Sequence, residues 1–335
     1  MKKALIALAA LGLTGGVAVA QSSVTLFGVL DVNMRYTKSS GNTLKQLGTD
    51  GLNSSRLGVR GTEDLGGGLK AGFWLEGALN PDTGTVDSTR FWGRRASVSL
   101  MGDFGEVRLG RGKTSTRLHI DDFDPYSTTG LGDVAKLYST LGSGSDTLNR
   151  ADNMVQYFLP SNLGGVYGSV EVAAGEGTVG RKALGGRVGY RQGPLNVAGA
   201  YETTTGVGNA KFKQMSVGAA YDFGIARPSV NYSQNEFGSR EQKLLTFGLT
   251  VPLGQGQILA SYTDAKADGP ALAGVGDAQL FAASYVHNLS KRTALYTTVA
   301  QIRNEGLGRF AVSGSPAVAN GAKSSGFDVG VRHSF

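Results

Sequence analysis

The segment V-T-L-F-G-V-L-D-V-N-M-R, Val24 to Arg35, decides the fold. Val24, Leu26, Leu30, Val32 and Met34 fall on one parity, and Thr25, Asp31, Asn33 and Arg35 on the other. Side chains alternate across a strand, so this segment is a β-strand with one apolar and one polar face. The same two-faced pattern recurs along the chain. Leu57 and Val59 oppose Arg56 and Arg60; Phe73 and Leu75 oppose Lys70 and Glu76; Ala96, Val98 and Leu100 oppose Arg95, Ser97 and Ser99. Further on, Met215, Val217 and Tyr221 oppose Gln214, Ser216 and Asp222, and the last such run, Phe327, Val329 and Val331 against Asp328 and Arg332, ends at Phe335. The segments 195–204, 257–266, 278–289 and 292–303 also read as strands, with less distinct faces.

We count sixteen strands, and every second connection is short. Gly66-Gly67-Gly68, Met101 to Gly105, Gly193-Pro194 and Gly254-Gln255-Gly256 carry the turn-forming residues. The alternate connections, such as Thr37 to Ser54 and Asn304 to Lys323, are longer and polar. An even number of antiparallel strands with alternating short and long connections is the pattern of an outer-membrane barrel. A soluble β-sandwich would also alternate, but its apolar face would have to fill a core, and here that face is diluted by glycine, 52 residues of it against 8 prolines. Closing the sheet in lipid pairs every backbone group without an edge, and sixteen strands enclose an aqueous lumen. The expected fold is therefore all-β: a 16-stranded antiparallel transmembrane β-barrel whose polar faces are the pore wall. Trp74, Trp92, Tyr157, Tyr190, Tyr221 and Phe335 lie near strand ends, where aromatics serve either as interfacial girdles or as ordinary packing.

One connection breaks the rhythm. From Arg111 to Arg150 roughly 40 residues separate the fifth strand from the sixth, far beyond an ordinary loop. Leu118, Ile120, Phe123, Tyr126, Leu131, Val134, Leu137 and Tyr138 give it enough apolar surface to pack, interleaved with Asp121, Asp122, Asp124 and Asp133. It is expected to fold into the tube as a long third loop.

The first twenty residues stand apart. Met1-Lys2-Lys3 is a basic start, Ala4 to Leu13 an apolar stretch too short to span a bilayer, and Ala18-Val19-Ala20 a small-residue cleavage site. Residues 1–20 are expected to be a secretory signal peptide and 21–335 the barrel. The absence of cysteine suits an exported chain without a disulfide framework. The net charge of +7, about +5 without Lys2 and Lys3, favours anionic partners, but the basic residues are scattered, which argues against nucleic acid. Enzymatic readings find little support. Of His119, His287 and His333 only His119 lies away from the short-turn ends, and no nucleophile motif accompanies it. Gly66-Gly67-Gly68 lacks the strand-to-helix context of a dinucleotide site, and Asp121-Asp122 lacks the spaced oxygens of a calcium loop. No cofactor or metal is expected.

Several blocks resemble the general diffusion porins of Gram-negative bacteria, of the β-proteobacterial trimeric type: SSVTLFGVLDV (Ser22 to Val32), SRLGVRGTEDLGGGLKAGFWLEG (Ser55 to Gly77), FGEVRLGR (Phe104 to Arg111), YVHNLSKRTALY (Tyr285 to Tyr296) and GVRHSF (Gly330 to Phe335). The resemblance implies a homotrimer in the outer membrane, in contact with lipid and lipopolysaccharide, with the third loop constricting the pore. Similarity to the anion-selective members implies an arginine cluster, carried onto Arg56, Arg94 and Arg150. Strand parity agrees for Arg56 and Arg150 but turns Arg95, rather than Arg94, inward, so both are candidates. An arginine wall always carries its charge and favours anions inside a low-dielectric tube. Glu76, Asp121, Asp122 and Asp124 are the candidates for an opposing acidic side. The expected function is passive passage of small anions and hydrophilic solutes, with a channel dedicated to phosphate or organic carboxylates as the alternative and an adhesin or structural barrel as a remoter one. Phe335 is the expected signal to the outer-membrane assembly machinery.

Overall fold

A computed structural model describes residues 23–335; the expected signal peptide and its cleavage site lie outside the described residues. Eighteen strands form one antiparallel sheet that closes on itself. They are β1 (Ser23–Ser39), β2 (Asn42–Thr49), β3 (Arg56–Gly66), β4 (Leu69–Asn80), β5 (Thr85–Val86), β6 (Arg95–Gly102), β7 (Gly105–Lys113), β8 (Arg150–Phe158) and β9 (Val166–Ala173). The second half comprises β10 (Ala183–Gln192), β11 (Leu195–Thr205), β12 (Lys211–Tyr221), β13 (Arg227–Phe237), β14 (Arg240–Leu253), β15 (Gly256–Asp268), β16 (Ala278–Asn288), β17 (Thr293–Asn304) and β18 (Ser324–Ser334).

Two of these do not add a stave. β2 and β3 share one position, β2 pairing with the long-loop half of β1 and β3 with its other half, while β5 is a two-residue bridge on β4. The barrel thus has sixteen staves. Closure is made by β1 and β18, with Val29 opposite Ser334 and Ser39 opposite Ser324. It is completed by reciprocal backbone hydrogen bonds between Gly28 and Phe335, at 3.0 and 3.1 Å.

Parity sets inside and outside as the pattern of β1 predicts. Asp31, Asn33, Arg35 and Thr37 are buried against the lumen contents, whereas Val24, Leu26 and Met34 are more than 60 % exposed on the outer surface. Exposed leucine, valine and phenylalanine all around the outside invert the soluble-protein arrangement and require a hydrocarbon surround.

Two of the long connections carry structure of their own. Thr37 to Ser54 is not a loose loop: β1 continues to Ser39, reverses through Ser40 (φ 49°) and Gly41 (φ 83°), and returns as β2. Positive φ at both central residues matches the twist of a tight hairpin. The last long connection, 305–323, folds inward instead of standing outside. Asn304 Nδ2 donates to the Phe310 and Ala322 carbonyls, and Ser313 Oγ donates to the Gly130 carbonyl in the third loop at 2.7 Å.

The third loop occupies 114–149, between β7 and β8. It opens with helix α1 (Ser115–Phe123), where the Thr114 hydroxyl accepts from the Arg117 amide and so caps an otherwise unpaired donor. Its far part buries Tyr126, Leu131 and Leu137 against Leu280, Ala282 and Ile302 of the wall and against Phe310 and Val312 of the last connection. The blurred faces of β15 to β17 are explained by this packing: their lumen side is apolar where the loop covers it.

Candidate pore constriction

The loop lies across the lumen, leaving a polar opening of about 500 Å³ beside it. Six cations line that opening: Arg56 and Arg150 from the wall, Arg94 from the connection before β6, Lys113 from the end of β7, Arg117 from α1, and Lys136 from a 3₁₀ turn (Val134–Leu137). Among the described residues, Asp133 is the one acidic residue lining it.

The wall arginines are held by backbone carbonyls. Arg150 Nε donates to the Arg94 carbonyl at 2.8 Å, and Arg56 donates to the Ser54 carbonyl at 3.1 Å. A guanidinium has five N–H donors, so these anchors orient each group while leaving others for a passing ion. Arg56 is itself placed by a turn. The stave is interrupted at 50–55 because the buried Asp31 carboxylate gathers the amides of Gly51, Leu52 and Asn53 at 3.1, 2.9 and 2.7 Å, together with the Tyr296 hydroxyl. The chain returns to the sheet at Arg56.

The parity conflict at Arg94 and Arg95 dissolves because β6 begins at Arg95. Arg94 belongs to the preceding connection, free of the pleat, and reaches the opening. Arg95 faces the lumen as parity dictates, but closer to the short turns, 4.5 Å from the centre of the Trp74 ring and 3.9 Å from Glu106.

The four carboxylates do not form one opposing wall. Glu76 lies among the wall arginines, accepting from Arg94 Nε at 2.6 Å and Trp74 Nε1 at 3.0 Å, with Arg56 at 3.7 Å. Asp121 is on the loop but is paired with Lys113 and with Arg117. Asp122 turns to the opposite flank of the helix, to Arg187 at 3.0 Å and Arg191 at 3.3 Å. Asp124 is buried inside the loop, accepting from the Tyr126 and Thr128 amides at 3.0 and 2.8 Å, and burial pushes its carboxyl up to about 7. The loop face toward the opening is therefore mixed, with Arg117 and Lys136 beside Asp133. Sequence parity had no means of finding these two cations, since neither lies on a strand. His119 is wholly buried, with Nε2 donating to Asn231 Oδ1 at 2.9 Å, and burial pushes its imidazole down to about 4.

Of the two readings open for Trp74, packing is the one realised. It is not a lipid girdle residue; it lines the lumen, joined to Glu76 by its indole N–H.

A closed sixteen-stave barrel with an apolar exterior, a loop folded inside and a charged opening defines a channel-forming barrel of the outer-membrane type. The chain belongs to the Gram-negative porin family, whose model matches residues 7–307. Outer membrane porin protein 32 of Delftia acidovorans is 40% identical over 361 aligned positions, covering 100% of both chains. An outer membrane porin protein of Bordetella pertussis is 28% identical, again over 100% of both. Among solved structures, an anion-selective porin from Comamonas acidovorans superposes with a TM-score of 0.86 at 36% identity, covering 94% of this chain and 100% of that one. OmpT of Vibrio cholerae, at 19% identity and a TM-score of 0.69, shares the fold.

Proposed function

We propose that this porin is a passive, water-filled channel for small hydrophilic solutes with a mild preference for anions. The observation that carries the reading is the opening itself: six cations against one lining carboxylate, with Glu76 and Asp121 committed to ion pairs with those same cations. Charges concentrated in a narrow lumen act strongly on a passing ion, and arginine does not lose its proton at any physiological pH. The similarity to a porin described as anion-selective supports the same reading.

We further propose that residues 1–20 are removed on export, that the mature chain assembles as a homotrimer in the outer membrane in contact with lipid and lipopolysaccharide, and that Phe335 is read by the assembly machinery. The broad apolar exterior supports the membrane placement, and the seating of Phe335 at the closure of the sheet supports its role. Reversal potentials of reconstituted channels in a KCl gradient test the selectivity. Chloride preference is expected, and a potential of the opposite sign rejects it. Electrophoresis of the unheated protein tests the trimer.

A further inference from the structure

On the short-turn side of the constriction the lumen wall changes character. Four residues beyond Arg56 along β3, about 13 Å at the usual rise, stands Arg60. Its guanidinium lies 4.9 Å from the centre of the Trp74 ring and 5.2 Å from that of Phe27. The two rings meet edge to face, with centres 5.1 Å apart and planes at 66°. All three side chains share the lumen parity: Arg60 is opposite Trp74 in the sheet and opposite Thr25 on β1, two residues from Phe27.

Arg60 differs from its neighbours in what it lacks. Arg95 and Arg108 both lean on Glu106, and the three constriction arginines are tied to carbonyls or to Glu76. Arg60 is exposed to the lumen and, among the described residues, has neither an ion pair nor a hydrogen-bond partner. A guanidinium lying over aromatic rings satisfies its face and leaves its N–H edge turned to water. That edge matches a carboxylate in bidentate geometry. Phe27 beside it is only half-buried, so an apolar ring surface adjoins the free edge.

We propose that Arg60, Phe27 and Trp74 form a second anion station, distinct from the constriction, that takes planar aromatic carboxylates. The carboxylate sits on the Arg60 N–H edge while the ligand ring packs against Phe27; the neighbouring Trp74 ring, 4.9 Å from the guanidinium, holds Arg60 in place. Acetate, with the same charge and no ring, obtains only the first contact. An offset or edge-to-face aromatic contact is worth enough to lower the half-effective concentration about three- to tenfold.

The inference rests on the reading of the barrel as an anion channel. Single-channel conductance in KCl is measured with benzoate or acetate added to both chambers. Benzoate is expected to reduce the current saturably, at about three- to tenfold lower concentration than acetate. Arg60→Gln and Phe27→Leu are each expected to erase that difference, and Phe27→Tyr to preserve it. Equal action of benzoate and acetate on the unmodified channel overturns the station, as does a difference that survives Arg60→Gln. Arg60 points into water and its replacement leaves the sheet intact, so this arm does not depend on the packing of Phe27. A cation-selective reversal potential in KCl alone would overturn the anion-channel reading instead, so the two failures are distinguishable.

Discussion

Arg94 and Glu76 are joined twice: the Arg94 side chain donates to the Glu76 carboxylate at 2.6 Å, and the Arg94 amide donates to the Glu76 carbonyl at 3.1 Å. The connection before β6 is thereby fastened to β4, and an arginine outside the pleat is held at the opening. Glu76 subtracts one charge from the cluster while positioning two of its members.

Glu76→Gln is expected to raise the chloride-to-potassium permeability ratio. At about 7 Å in a water-filled passage one unit charge is worth about 0.6 kcal/mol, a factor of about two to three. Reversal potentials in a KCl gradient measure it; an unchanged or lower ratio contradicts the placement.

Joint replacement of Arg56, Arg94 and Arg150 by alanine is expected to lower the ratio by about twentyfold on the same Coulomb scale. Lys113, Arg117 and Lys136 remain, so some anion preference persists. Asp122→Asn, by contrast, is expected to leave the ratio unchanged, because Asp122 is engaged with Arg187 and Arg191 away from the opening.

Leu137 is completely buried where the loop meets the wall. Leu137→Ala is expected to cost about 2–5 kcal/mol of packing, localised to the loop. Single-channel records should show increased current noise while the barrel still migrates as an assembled species; quiet, unaltered openings would contradict the clamp.

The contribution of Arg56, Arg94 and Arg150 to selectivity is expected to be flat between about pH 5 and about pH 8, since a guanidinium keeps its charge throughout. Loop stability carries two opposite pH effects. His119, pushed down to about 4, contributes stability that is lost as pH falls from its ordinary value toward 4, because the unfolded imidazole takes up a proton first. Asp124, pushed up to about 7, contributes stability that is present at low pH and lost as pH rises toward 7. His119→Gln removes the first alone, so thermal melting of the variant in detergent should shift upward on acidification from about pH 7 to about pH 4, relative to the unmodified protein. A parallel pH dependence of the two proteins would contradict this.

Deletion of Phe335 removes two closure hydrogen bonds to Gly28. Assembled protein in the outer membrane is expected to fall several-fold, as measured by immunoblot of unheated membranes. Normal levels would remove Phe335 from assembly.

The sixteen-stave barrel is legible in the sequence because side-chain alternation is local: Val24 to Arg35 states its two faces without reference to any other strand. The length and apolar content of Arg111 to Arg150 likewise announce a packed loop. Parity also brings Arg56 and Arg150 inward. What only the tertiary structure decided is how charges meet across the lumen. Arg94 and Glu76 are 18 residues apart, and Asp122 and Arg187 are 65 apart. Their pairing depends on where β6 starts and on how α1 rotates when its apolar side meets the wall. That rotation turns Asp122 away, buries Asp124 and presents Arg117, so the loop expected to be acidic supplies cations to the opening. A strand reads its own two faces, but the facing of a loop is set by whatever surface it packs against.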